Sequence, residues 1–234
     1  MKALILAAGI GTRMKEVGKS IPKCLLKIGK ISILEQKIND LKKCGIKNED
    51  IFVVIGKQGD CWTKEHIATI SSLTTKVIVN EKNVDLNQVF SFCLGINNIS
   101  EDDLIVIDGD LIIKHSLMKD LVTKKEHTTL LTQNPRSLNT NGNKVVLNKT
   151  GFVEMITRNN VNKPYTIYAG AFCLTKKDFA LFKKIASKEV LHKQDIGFVF
   201  DEACKKTEIV ILQNEKDWIN INTPGELENS KKFG

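Results

Sequence analysis

The stretch Leu6-Ala7-Ala8-Gly9-Ile10-Gly11-Thr12-Arg13-Met14 decides the fold. The run leading into it, Lys2 to Ala7, has the continuous apolar character of a strand covered on both faces. Such a strand feeding a loop of small residues lets backbone approach a phosphate closely, and the N–H groups of the loop form an anion nest. Arg13 adds a fixed cation. Lys23, in Pro22-Lys23-Cys24-Leu25-Leu26, adds a second. Together they can hold a triphosphate. Two other phosphate patterns fail. A dinucleotide fingerprint needs glycine at position 14, which is Met14, and no Walker-type G-x-x-x-x-G-K-[ST] follows. A plain glycine turn would account for the glycines but leaves the two cations unexplained.

Working outward, strands and helices alternate. Ser32 and Glu35 make a capping box ahead of Leu34, Ile38 and Leu41, and Gly45 closes that helix. Strands are expected at Ile51–Ile55, Lys76–Val79 and Leu104–Ile107, and helices at Glu65–Ser71 and Val89–Ile96. This βαβα order argues for a parallel sheet with helices on both faces. Further on, Thr129–Thr132, Lys144–Leu147, Phe152–Ile156 and Ala169–Leu174 read as strands joined by short turns. Phe179–Ile185 and Ile196–Cys204 read as helices, and Ile209–Leu212 as a late strand. Thr223-Pro224-Gly225-Glu226 starts a last helix, with Thr as N-cap and Pro at its first position. With no repeat or linker visible, one α/β domain over 1–234 is expected, its nucleotide-binding half about 1–115 and its acceptor-binding half about 116–234.

The 234 residues are 42% hydrophobic and 26% charged, an ordinary globular balance that excludes a disordered tail, a collagen and a coiled coil. No apolar run approaches the roughly 18 residues of a membrane span. Lysine and arginine exceed the acids by 35 − 27 = 8. That charge fits anionic partners, but only Arg13, Arg136 and Arg158 are arginine, and a lysine-rich composition explains much of the excess. With 6% aromatics and no block of like charge, nucleic acid is not expected as a partner. The cysteines at 24, 44, 61, 93, 173 and 204 are scattered, without a C-x-x-C, which fits a reducing compartment. The expected location is the cytoplasm, without membrane insertion.

Val106-Ile107-Asp108-Gly109-Asp110 puts two carboxylates at the end of a buried strand, where open sheets gather their ligands. Hard Mg²⁺ takes such oxygen ligands together with substrate phosphates; an Asp-Gly turn is the bland alternative. In Asn80-Glu81-Lys82 and Asp85-Leu86-Asn87-Gln88-Val89-Phe90-Ser91, the amides and hydroxyl of Asn87, Gln88 and Ser91 can hydrogen-bond a ligand edge, although Asn87 serves equally as a helix cap. Arg158 is notable in a chain that seldom uses arginine, and arginine suits bidentate phosphate binding. Asp195, Asp201 and Glu202 suit a cationic amine or a solvated helix face, and Tyr168 and Trp218 a choline-like head or the core.

L-A-A-G-x-G-T-R followed by P-K-x-L resembles the N-terminal signature of the nucleotidyltransferases that activate sugar phosphates and related phosphorylated alcohols. It is most similar to the small cytidylyltransferases acting on phosphocholine or 2-aminoethylphosphonate. The resemblance implies a Rossmann-like, mostly parallel mixed sheet flanked by helices, the GT-A-like nucleotidyltransferase fold. It implies CTP or another nucleoside triphosphate and a phosphorylated acceptor as partners, with Mg²⁺ as cofactor, and is compatible with a homodimer. Catalytic roles fall on Arg13 and Lys23, and nucleotide contacts on Leu6, Ala8, Gly9, Gly11 and Thr12, with Asn87, Gln88 and Ser91 beside the base. The metal aspartate matches Asp110 first and Asp108 second. The family's late Asp-Ile-Asp-Thr-Pro-like run reads Asn220-Ile221-Asn222-Thr223-Pro224 here, so Asn222 and Asn220 stand where acidic ligands are expected. Asn162-Lys163-Pro164 is similar to an acceptor-phosphate motif, which adds Lys163 to Arg158 and Tyr168 as acceptor contacts. A hexose-1-phosphate uridylyl- or thymidylyltransferase, a glycosyltransferase using Asp108-Gly109-Asp110, and a catalytically degenerate nucleotide sensor are the competing readings.

Overall fold

The computed structural model describes residues 1–9, 11–14, 20–59, 61–74, 76–82, 88–123, 126–135, 142–189 and 195–230. Asn87 lies outside them, and so does the side chain of Thr12. Strand β1 (Lys2–Leu6) is the centre of the sheet, parallel to β4 (Ile51–Gly56) on one side and β6 (Leu104–Asp108) on the other. Beyond β4 lies β5 (Lys76–Asn80), also parallel. Beyond β6 the polarity reverses at β11 (Thr166–Leu174), which is antiparallel to β6 and to β8 (Thr128–Gln133). Strand β12 (Ile209–Gln213) pairs with β8, and β9 (Lys144–Leu147) joins β11 and β10 (Val153–Thr157), completing a nine-stranded sheet among the described residues.

The period of a strand explains why β1 reads as uniformly apolar. Leu4 and Leu6 enter one core while Ala3, Ile5 and Ala7 enter the other. On the first face pack α3 (Gln88–Asn97), α5 (Lys176–Glu189) and α6 (Ile196–Cys204), around Phe92, Phe172, Phe182 and Phe200. On the second pack α1 (Ile33–Lys43), α2 (Lys64–Leu73) and α4 (His115–Thr123). Helix α3 comes so close to β1 that a Cβ at Gly95 would meet the Leu4 side chain at 2.5 Å. Ser32 caps α1 by accepting the Glu35 N–H at 3.1 Å, and Gly45, at φ +86, ends the turn that closes it.

A third, smaller core consists of Met14, Leu26, Ile33, Ile112 and Ile221. It sits under two short antiparallel pairs absent from the sequence reading. One is β2 (Lys27–Ile28) with β3 (Ile31–Ser32). The other is β7 (Leu111–Ile113) with β13 (Trp218–Asn220). Helix α4 was likewise not expected. The last helix, α7 (Pro224–Ser230), begins as read.

Candidate active site

The carboxyl ends of β1 and β6 lie side by side, and the site is built on them. The Gly109 N–H donates to the Leu6 carbonyl at 2.8 Å, and a Cβ at Gly109 would stand 2.8 Å from the Ala7 Cα. Only glycine allows the two strand ends this approach. After β1 the chain turns through Gly11, at φ +68, into a 3-10 turn over Thr12–Met14, closed by the Met14 N–H on the Gly11 carbonyl at 2.8 Å. Met14 is buried in the third core, and Arg13 before it is left exposed. Pro22 precedes a second 3-10 turn, Lys23–Leu25, whose Lys23 points into the site while Cys24 and Leu26 are buried.

Four of the expected residues meet there. Lys23 Nζ lies 2.9 Å from Asp110 Oδ2 and 3.1 Å from Asn222 Oδ1. Arg13 Nη2 donates to the same Asn222 oxygen at 2.6 Å. Asn222 is held by a capping box at the start of α7. Glu226 Oε2 accepts from the Asn222 N–H at 2.7 Å and the Thr223 N–H at 2.8 Å, and the Glu226 N–H donates to Thr223 Oγ1 at 3.3 Å. The Ile221 N–H donates to the Asp110 carbonyl at 2.9 Å, so residues 110 and 222, distant in sequence, are neighbours in space.

Asp108 faces another way. Its Oδ1 accepts from Gln88 Nε2 at the start of α3. Its Oδ2 lies where a Cβ on Gly170, at φ +91, would come within 2.9 Å. Burial, reinforced by Asp110, pushes the Asp108 carboxyl up to about 8. Gln88, expected beside the base, thus reaches Asp108 with its amide. Ser91 is buried and accepts from Asn80 Nδ2 at 3.0 Å, which ties α3 to the end of β5. Leu6 and Ala8 are buried under the glycine turn and Gly9 is exposed on it.

The donor set suits a hard cation: Asp110 offers a carboxylate and Asn222 an amide carbonyl, both already fixed on one ammonium. Asn220 Oδ1 is buried without a hydrogen-bond partner among the described residues. No group of three or more His, Cys, Asp or Glu side chains able to hold a metal occurs among the described residues.

The residues expected to meet an acceptor have partners other than the Arg13, Lys23, Asp110 and Asn222 cluster. Arg158 is 60% exposed, its Nε 2.5 Å from Asp195 Oδ2, and Asp195 caps α6 by accepting the Gly197 N–H at 2.8 Å. Lys163 pairs with Glu154 at 2.8 Å on the exposed surface. Tyr168 packs against Phe200, ring centroids 5.4 Å apart. Burial raises its hydroxyl well above the usual range, and Asp108 and then Asp195 add to the shift, so Tyr168 lies in the field of both.

Sequence reasoning missed Lys37. It is 4% exposed on the core face of α1, and its Nζ donates to the Asp108 carbonyl at 2.6 Å. Burial pulls it down to about 8, opposed by Asp110, Cys24 and Asp108. The apolar stripe of Leu34, Ile38 and Leu41 placed it there, since residue 37 falls on the same side of a 3.6-residue helix. Cys24, beside Lys23 in sequence, is pushed up to about 12, first by burial, and stays a thiol.

A family model described as nucleotidyl transferase matches residues 2–219. The chain belongs to the nucleotidyl transferase family. A bifunctional sugar-1-phosphate nucleotidylyltransferase/acetyltransferase of Sulfurisphaera tokodaii is 24% identical, over 100% of this chain and 55% of the relative. A choline-phosphate cytidylyltransferase of Haemophilus influenzae is 32% identical, over 70% of this chain and 65% of the relative. The chain thus spans about half to two thirds of the curated relatives it matches first. Among solved structures, a CTP:phosphocholine cytidylyltransferase from Streptococcus pneumoniae superposes with a TM-score of 0.79 at 21% identity, covering 99% of this chain and 97% of that one. That likeness shows the shared fold.

Proposed function

We propose that this family member transfers a nucleotidyl group, CMP from CTP, to a phosphorylated or phosphonylated small alcohol of the phosphocholine or 2-aminoethylphosphonate type, with release of pyrophosphate. The observation that carries the reading is the meeting of Arg13, Lys23 and Asp110 with Asn222 above the glycine turn, two cations and an oxygen pair at the joined ends of β1 and β6. The named cytidylyltransferase relatives support the base and acceptor class.

The triphosphate lies against the glycine turn after β1, beside Gly9 and Gly11, where backbone N–H groups suit phosphate oxygens. Arg13 leaves the Asn222 oxygen, Lys23 leaves both that oxygen and the Asp110 carboxylate, and the two take the phosphates, exchanging one set of charge-assisted contacts for another. An acceptor oxygen, already anionic near pH 7, attacks the α-phosphorus in line. A new P–O bond forms, the bond to the oxygen bridging α and β phosphorus breaks, and its electron pair leaves on pyrophosphate. No proton has to be removed from the nucleophile, so positioning and charge neutralisation carry the reaction. Asp110 and Asn222 would hold Mg²⁺, with Asn220 behind them; when bound, the ion neutralises charge on the phosphates. On the acceptor side Arg158 and Lys163 first have to release Asp195 and Glu154. Asp195, once freed, stands close to Tyr168 and suits a cationic head.

Pyrophosphate release tests this, crossing CTP, UTP, dTTP and GTP with phosphocholine, 2-aminoethylphosphonate and several hexose 1-phosphates in the presence of Mg²⁺. CTP with one amino-alcohol acceptor is the expected pair. UTP or dTTP with a hexose 1-phosphate would keep the mechanism and replace base and acceptor. A relative aligned over the whole chain, the bifunctional sugar-1-phosphate nucleotidylyltransferase/acetyltransferase, supports that second reading. CTP binding by calorimetry with no turnover on any acceptor would make the chain a nucleotide sensor.

A further inference from the structure

Lysine is among the residues almost never fully buried without a partner. Lys37 is buried on α1 beside Ile33, Leu111 and Met118, where methionine would fill similar space without a charge to desolvate. Its ammonium is spent on the main chain: it donates to the carbonyl of Asp108, the last residue of β6. The next residue, Gly109, donates its N–H to Leu6. The main chain of the turn carrying Asp108 and Asp110 is therefore pinned to β1 by Gly109, to α1 by Lys37 and to Ile221 by the Asp110 carbonyl. Lys23 approaches Asp110 from the open side, and Lys37 lies on the core side of the same turn. Arg13, Lys23 and Lys37 place three cations around two carboxyl groups. Lys23 and Arg13 can swing to a phosphate, whereas Lys37, closed in by the core, stays.

We infer that Lys37 is a positioning residue for nucleotidyl transfer: it fixes the turn that carries Asp110 and, as a cation at neutral pH beneath it, leaves the empty site little attraction for a free divalent ion. This rests on the transferase reading of the site. Its consequence is an order of events, in which the metal enters with the triphosphate, whose own negative charge restores the attraction.

Three proteins test it: wild type, Lys37→Met and Lys37→Arg. Each is measured for Mn²⁺ binding without nucleotide, by loss of the free-ion electron paramagnetic resonance signal, and for pyrophosphate release. In Lys37→Met the Mn²⁺ dissociation constant is expected to fall by about threefold or more, the scale of one unit charge acting at intermediate dielectric. Its kcat is expected to fall about tenfold, with KM for the nucleotide little changed, because the turn is misplaced while the phosphate contacts remain. Lys37→Arg keeps the charge and holds Mn²⁺ as weakly as wild type. A lysine that merely filled the core would not tighten the metal on removal, so an unchanged or weaker Mn²⁺ affinity in Lys37→Met overturns the inference, whatever happens to turnover. If Lys37→Met fails to fold, Lys37→Gln carries the same expectations. Wild-type turnover without a Mn²⁺ shift would sink the role of Lys37 alone. A Mn²⁺ shift in a wild type without turnover would sink the transferase reading and leave the electrostatic placement standing.

Discussion

One carbonyl oxygen, that of Asn222, accepts from both Arg13 and Lys23. Aspartate at that position would add a full charge between two cations and beside Asp110. Asn222→Asp is therefore expected to lower the Mg²⁺ concentration that gives half-maximal pyrophosphate release; an identical metal titration would show that residue 222 is no ligand. Arg13→Ala and Lys23→Ala should each reduce turnover at least about tenfold, since charge-assisted phosphate contacts are worth roughly 1.5–3 kcal/mol and 1.36 kcal/mol is one decade. Unchanged kinetics in both would remove the glycine turn from the mechanism. Cys24 shows the opposite case, a residue next to the chemistry that takes no part in it. With its thiol pushed up to about 12 by burial, it is expected to resist alkylation in the native protein at pH 8, which mass spectrometry of the labelled chain would read.

At the scale of elements, the site is a meeting of ends, and each functional side chain sits within three residues of an anchor in the small third core. Arg13 precedes Met14, Lys23 lies three before Leu26, Asp110 two before Ile112, and Asn222 one after Ile221. Ile221→Ala should cost about 2–5 kcal/mol in denaturant unfolding and lower activity without touching a ligand. Gly109→Ala forces β1 and β6 apart at their joined ends and should cost about 1–3 kcal/mol, with turnover falling further than stability. The central strands were legible because burial on both faces leaves an unbroken apolar run, and α6 and β9 came out with their full bounds for a related reason: turn residues or a capping Asp195 flank them. The pairing of β7 with β13 was not legible. Three-residue strands more than a hundred residues apart carry too little periodicity to announce a partner. Local pattern also hid the direction of Gln88, whose amide answers to Asp108 on another strand, and the buried Lys37, whose charge contradicts the stripe it belongs to.

Over the whole molecule, the charge of +8 acts as a diffuse field. Among the described residues many cations are spent in exposed pairs, such as Lys163 with Glu154 and Lys205 with Asp201 and Glu202. No retention on immobilised duplex DNA is expected at physiological salt; retention that weakens steeply with added salt would instead mark a phosphate-backbone surface. No helix among the described residues is long and apolar enough to cross a membrane. The reversal of polarity between β6 and β11 brings the strands that follow residue 127 alongside the parallel set, so that Asp108 touches both. The contact between residues 110 and 222 adds a matter of timing. During synthesis β1, β4, β5 and β6 can pair while the rest of the chain is still on the ribosome, yet Ile112 and Met14 stay uncovered until Ile221 emerges. A nascent chain halted before residue 218 would keep Lys23 on Asp110 but hold Arg13 without the Asn222 oxygen that parks it, leaving a loose cation beside an uncovered apolar patch until that segment emerges.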